Sequence, residues 1–184
     1  MMYKWMQARD VKGFTLIELL VVIAIIGILT AIAVPAFLGQ REKAKVRSTE
    51  SGARAAVADL QGYLDSYVAG EPYVIITDAT GTQGCFEANN AIGLDKTCAS
   101  VFSQASVGTY AVYPGGITTI IAHFISHHTF KGDFSAFNGL PLFVTASVND
   151  GQVLLTPTDS RSVTILAYAT NHTSTIFSQL VTVR

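Results

Sequence analysis

The hydrophobic positions of this chain fall into two regimes. From Phe14 to Val34 an apolar run carries one charge, Glu18. A helix of that length spans about 30 Å, the thickness of a bilayer core. Gly27 weakens such a helix by roughly 1 kcal/mol. Pro35, at the end of the run, removes a backbone donor and clashes with the preceding turn, at about 3 kcal/mol. Beyond it the pattern becomes amphipathic. Val46, Ala53, Leu60 and Tyr67 recur every seven residues, with Val57 and Leu64 between them. The opposite face carries Arg41, Glu42, Lys43, Lys45, Arg47, Glu50, Arg54, Asp59 and Asp65. Glu50 interrupts a coiled-coil seam, so the stripe is expected to pack on a sheet. Gly70-Glu71-Pro72 ends the helix, which would be on the order of 80 Å long from Phe14 to Tyr67.

The remaining pattern is shorter in period. Residues 71–106 are rich in turn formers (Gly81, Gly84, Asn89, Asn90, Gly93) and read as a loop from helix to sheet. From 107 onward strands dominate. Val107–Tyr113 precedes Pro114-Gly115-Gly116, and Leu142–Val148 and Gln152–Thr156 flank Asn149-Asp150-Gly151, a hairpin signal. Ser162–Ala169 and Thr175–Val183 flank a weaker turn at Asn171-His172-Thr173. The expected fold is α+β, a long N-terminal helix whose C-terminal half packs on an antiparallel β-sheet head. Its segments are 1–13, 14–35 (apolar helix of membrane-spanning length), 36–70 (amphipathic helix), 71–106 (loop) and 107–184 (antiparallel sheet).

Charge orients this arrangement. Lys4, Arg9 and Lys12 precede the apolar run against one acid, Asp10, which keeps the N-terminus cytoplasmic and sends the rest outward. From Tyr67 onward four bases face seven acids, a head with no electrostatic footprint for nucleic acid. An exported domain with two cysteines, Cys85 and Cys98, suggests one disulfide, the alternative being two free thiols. No third or fourth ligand sits near the cysteines at metal spacing.

Three readings compete for residues 1–40. A cleaved secretory signal would use Ala31-Ile32-Ala33, leaving a mature chain from Val34, but the apolar run is longer than such signals need. A plain anchor leaves Glu18 unexplained, because an acid at membrane depth is costly and marks a site with a partner. The third reading explains it. The stretch Lys12-Gly13-Phe14-Thr15-Leu16-Ile17-Glu18-Leu19-Leu20 resembles the type IV prepilin cleavage and assembly motif, over about residues 9–50. The resemblance implies a leader, residues 1–13, cut between Gly13 and Phe14 by a prepilin peptidase that also methylates the new Phe14 amine. It implies that Glu18 meets the amine of a neighbouring subunit, and that Gly27 and Pro35 are helix-weakening points. Burying either charge alone is expensive, so the pair would act as a register device. Many type IVa-like major pilins close a disulfide near the C-terminus. Here both cysteines lie mid-chain, so no role of that C-terminal loop carries over.

Other chemistry is sparse. His123 and His127 are four apart with His128 beside them, in a segment that fits either helix or strand. On a helix they would share a face, on a strand they would be too distant to chelate, and no glutamate lies between them as in the metalloprotease pattern. Ordinary edge-of-core histidines are expected, with no metal. No nucleophile motif or phosphate loop is present, so no catalytic residue, cofactor or enzyme activity is expected. Phe14, Phe37, Tyr63 and Tyr67 read as packing residues. The function implied by the resemblance is a structural subunit of a type IV pilus, serving adhesion, twitching motility or DNA uptake. The alternative is a pseudopilin or minor pilin of a type II secretion system. The implied partners are copies of itself in a helical polymer, the prepilin peptidase, the pilus assembly machinery and, before assembly, the inner membrane. The implied destination is a surface filament.

Overall fold

The computed structural model describes residues 13–89, 96–146, 148–170 and 174–183. The leader to Lys12, the turn formers Asn90 and Gly93, and the turn Asn171-His172-Thr173 lie outside the described residues. The chain divides into two compact units, Met1–Glu42 and Lys43–Arg184.

One helix, α1 (Leu16–Ala69), begins in the first unit and ends in the second. In the first unit every described residue is exposed, including apolar side chains from Phe14 to Leu38. The helix is maintained across both Gly27 and Pro35. Thr30 Oγ1 donates back to the carbonyls of Ile26, at 2.8 Å, and Gly27, at 3.1 Å. In the second unit the helix buries Thr49, Ala53, Ala56, Leu60, Leu64 and Tyr67, spaced three or four apart on one face. Val46 and Val57, expected in that stripe, are half-buried at its margin.

The head contains two sheets and a second long helix. Strands β1 (Tyr73–Ile76), β2 (Gln83–Asn89) and β3 (Ser106–Ala111) form a three-stranded sheet, with a short helix α2 (Cys98–Phe102) before β3. β1 and β2 are antiparallel, β2 and β3 parallel. Residues 71–106 are therefore not a plain loop. Their strands are short and contain Gly84, Glu87 and Asn89, residues with little strand preference. Pairing and the burial of Tyr73, Ile75 and Cys85 hold them.

Helix α3 (Ile117–Lys131) interrupts the antiparallel sheet expected over 107–184 and settles the segment around the histidines as helix. Its β-branched run Ile117-Thr118-Thr119-Ile120-Ile121 reads as strand by composition. Burial decides otherwise: Ile117, Ile120, Ile121, Phe124 and His128 form a helical stripe facing the core. Gly132, at φ 97°, stops the helix in the left-handed conformation that glycine adopts freely.

The second sheet comprises β4 (Phe143–Val144), β5 (Val153–Pro157), β6 (Ser162–Tyr168) and β7 (Thr175–Thr182) in that order. β5, β6 and β7 form the expected antiparallel meander. The hairpin expected at Asn149-Asp150-Gly151 is absent, because β4 runs parallel to β5. Buried Gln152 is the physical reason. Its side chain accepts from Asn149 N at 2.7 Å and donates to Pro141 O at 2.7 Å, closing the loop on itself. A Cβ at Gly151 would meet the Phe137 ring at 2.2 Å, so this turn admits no side chain. The α1 stripe, the α3 stripe and both sheets share one core that includes Leu60, Leu64, Tyr110, Phe124, Val153 and Ile165.

Candidate functional site

The N-terminal unit is defined by its lack of cover. Leu16, Ile17, Ile23, Ile28 and Ile32 are each at least 60% exposed, an apolar surface that water would oppose. Helix α1 is long and apolar enough to cross a membrane.

At its start sits Glu18, the one charge of the apolar run from Phe14 to Val34. Thr15 precedes Leu16 as the helix N-cap, and Glu18 is the third helical residue. Glu18 N donates to Thr15 Oγ1 at 3.3 Å. Thr15 N and Thr15 Oγ1 both donate to Glu18 Oε2, at 2.9 Å and 2.6 Å. This is a capping box, in which cap and acid satisfy each other's backbone donors. It aims one carboxylate oxygen at the helix's own end. Among the described residues, Oε1 accepts no hydrogen bond. Thr15 was not singled out from sequence, although the spacing Thr-x-x-Glu before an apolar run was the signal. Phe14, four residues before Glu18, is 83% exposed, and Gly13 is exposed beside it. A Cβ on Gly27 would meet nothing within 4 Å, so no contact inside the subunit requires a glycine there.

In the head Cys85 and Cys98 form a disulfide, with Cα atoms 5.9 Å apart. It ties the start of α2 to β2. Glu87 Oε1 reinforces that tie by accepting from Cys98 N at 2.6 Å, and Thr97 caps α2 through Ser100.

The three histidines lie on α3, each engaged separately. His123 Nδ1 shares a 2.5 Å hydrogen bond with the Tyr73 hydroxyl, and His127 Nδ1 accepts from Ile76 N at 2.9 Å. Both hold the helix to β1. Burial pushes the His123 imidazole below its ordinary value. Burial also lowers His127, helped by the nearby His128 and Lys131. His128 is buried, and its Nδ1–H donates to Asp133 Oδ2 at 2.6 Å. Its Nε2 faces Asp59 Oδ2 at 3.9 Å and has no hydrogen-bond partner. Asp59 and Asp133 were not assigned from sequence, since 74 positions separate them and only the fold brings both to one ring. Among the described residues, no group of three or more metal-ligating side chains converges.

Known proteins place this arrangement. The family model described as the prokaryotic N-terminal methylation motif matches residues 8–34. The type IV major fimbrial protein FimA of Dichelobacter nodosus is 34% identical, over 61% of this chain and 70% of its own length. The type IV narrow pilus major component PilA5 of Thermus thermophilus is 36% identical, over 58% of this chain and 90% of its own length. The chain belongs to the type IV pilin family. It is a structural filament subunit of the type IV pilus kind. The type II secretion system core protein G of Pseudomonas aeruginosa is 43% identical, but over 34% of this pilin and 44% of its own length. That shorter match separates a shared kind of segment from kinship along most of a chain. No solved structure matches the pilin.

Proposed function

We propose that this pilin is cut between Gly13 and Phe14, methylated on the Phe14 amine by a prepilin peptidase, and polymerised through α1. The membrane holds the apolar half of α1 first, and copies of the same helix replace the lipid afterwards. The destination is a filament at the cell surface, assembled by the pilus machinery and serving attachment or motility rather than catalysis.

One observation carries this reading: Glu18 is the one charge of the bare apolar run, with Oε2 capped by Thr15 and Oε1 accepting no hydrogen bond among the described residues. A cation at Oε1 offsets the cost of an acid in an apolar core. The Phe14 amine of a neighbouring copy is the cation that cutting before Phe14 creates. The bare surroundings of Gly27 support a role between copies or in local loosening of the helix, with Pro35 as the second weak point. Glu18→Val tests the reading. The variant is expected to be cleaved and to enter the membrane normally, yet to yield no filaments in sheared surface material. Normal filaments from Glu18→Val would refute it.

A further inference from the structure

Between the apolar run and the buried stripe, α1 carries a basic segment. Arg41, Lys43, Lys45 and Arg47 fall close together against one acid, Glu42. Arg41, Lys43 and Arg47 are exposed. Among the described residues none of these three enters an ion pair, whereas Arg54 and Lys96 do. Lys45 is half-buried, with its Nζ 5.2 Å from the centroid of the Phe137 ring. At about 100° per residue, Lys43 and Arg47 share one face of a helix, and Arg41 and Lys45 the opposite one. The bases therefore encircle α1. A partner lying against one side would meet half of them. A charged layer through which the helix passes would meet them all.

Depth fits such a layer. Arg41 stands 27 residues after Phe14, about 40 Å along a helix axis, close to the thickness of a bilayer with its headgroups. Lys43 and Arg47 follow within two turns, and their long stems can carry the charge back toward the interface. Cutting before Phe14 removes Lys4, Arg9 and Lys12, so every basic side chain flanking the apolar run in the mature chain is on the outer side. The acids of a second copy are poorer partners. Of the seven acids from Tyr67 onward, Glu71 pairs with Lys96 and Asp133 with His128, while Asp78, Glu87 and Asp159 accept hydrogen bonds from their own loops. We propose that Arg41, Lys43 and Arg47, with Lys45, bind anionic phospholipid headgroups at the outer face of the membrane and retain the subunit there before assembly. The inference rests on the membrane stage of the proposed function. Guanidinium and ammonium groups donate to phosphate oxygens in charge-assisted hydrogen bonds. Joining a filament breaks those contacts, so the anionic lipid content sets how firmly the subunit is held.

The test uses the full chain carrying Gly39→Cys, labelled there with a fluorophore. Gly39 is exposed, a Cβ on it meets nothing within 4 Å, and Cys85 and Cys98 are joined to each other. The chain is placed in phosphatidylcholine vesicles that hold a small fraction of spin-labelled phosphatidylglycerol or, in parallel, of spin-labelled phosphatidylcholine. At low salt the phosphatidylglycerol probe is expected to quench at a fraction about tenfold lower than the phosphatidylcholine probe, since each base near the surface favours an anionic lipid by about fivefold. Raising the salt should shrink this preference. Replacing Arg41, Lys43 and Arg47 together by Gln should abolish it, and Lys96→Gln, on the head, should leave it unchanged. Equal quenching by the two probes in the unaltered chain, or a preference undiminished by the triple replacement, overturns the headgroup contact. A triple variant that loses filament yield when the unaltered chain shows no lipid preference also overturns it, and assigns the segment to a second copy instead. Quenching by neither probe would overturn the membrane stage on which the inference rests.

Discussion

The two halves of α1 have the same backbone and opposite surroundings. Between Phe14 and Leu38 the side chains are bare, whereas between Thr49 and Tyr67 one stripe is closed off by α3 and the two sheets. Amphipathicity explains the difference. The second half has a polar face to give to water and a single apolar face to bury, so one head suffices. The first half is apolar all round, and every described residue of it is exposed. Its cover must come from lipid or from other copies. One helix thus separates the interaction that folds the subunit from the interaction that assembles it.

Truncating one leucine in each half tests that division most strongly. Leu60→Ala removes a fully buried side chain and is expected to cost the head about 2–5 kcal/mol, seen as a lower denaturation midpoint. Leu20→Ala, in the bare half, should leave that midpoint unchanged. Equal losses would show that the halves do not differ as described. Next comes the disulfide. Replacing both Cys85 and Cys98 by Ala opens a link of sequence separation 13, and on the chain-entropy account should destabilise the head by about 3 kcal/mol. The apolar half has no comparable staple, so its membrane insertion should be untouched. Thr15→Ala sharpens the comparison from the other side. Loss of an N-cap costs about 1 kcal/mol of local helix stability, expected as fraying of the first turn of α1 by hydrogen exchange, with no change in the head. Thr15→Ser should restore it.

The smallest effect is that of pH. His123 and His127 have folded values below the ordinary 6.5. The folded head therefore binds fewer protons than the unfolded chain over that window. Its stability is full above about 6.5 and falls as pH drops through it. Protonated His127 also can no longer accept from Ile76 N. A melting temperature that rises on acidification from pH 7 to pH 5 would contradict this assignment. Asp78 is held near 2 by Thr80 and Thr82, and so stays charged across the same range.

The division between the halves was legible in sequence, because the apolar run, the lone Glu18 and the seven-residue recurrence are local patterns. So were the meander strands after 152 and the cysteine pair. Three features were not. Helix α3 is rich in β-branched residues, and its helical form is decided by the core it buries into. The Asn149-Asp150-Gly151 turn has hairpin chemistry, but Gln152 reaches Pro141 across the loop and keeps β4 parallel to β5. The Asp59–His128–Asp133 arrangement joins positions far apart in the chain, which no local pattern reveals. The capping box of Thr15 with Glu18 was available at a spacing of three and needed only to be read.

The central claim is that the mature subunit begins at Phe14, two residues before the bare half of α1. Intact-mass and N-terminal fragment spectrometry of the chain from sheared surface filaments measures this directly. The account predicts a first residue Phe14 carrying a methyl group on its amine. A mature chain beginning at Val34, or an unmethylated chain retaining residues 1–13 in filaments, would contradict it.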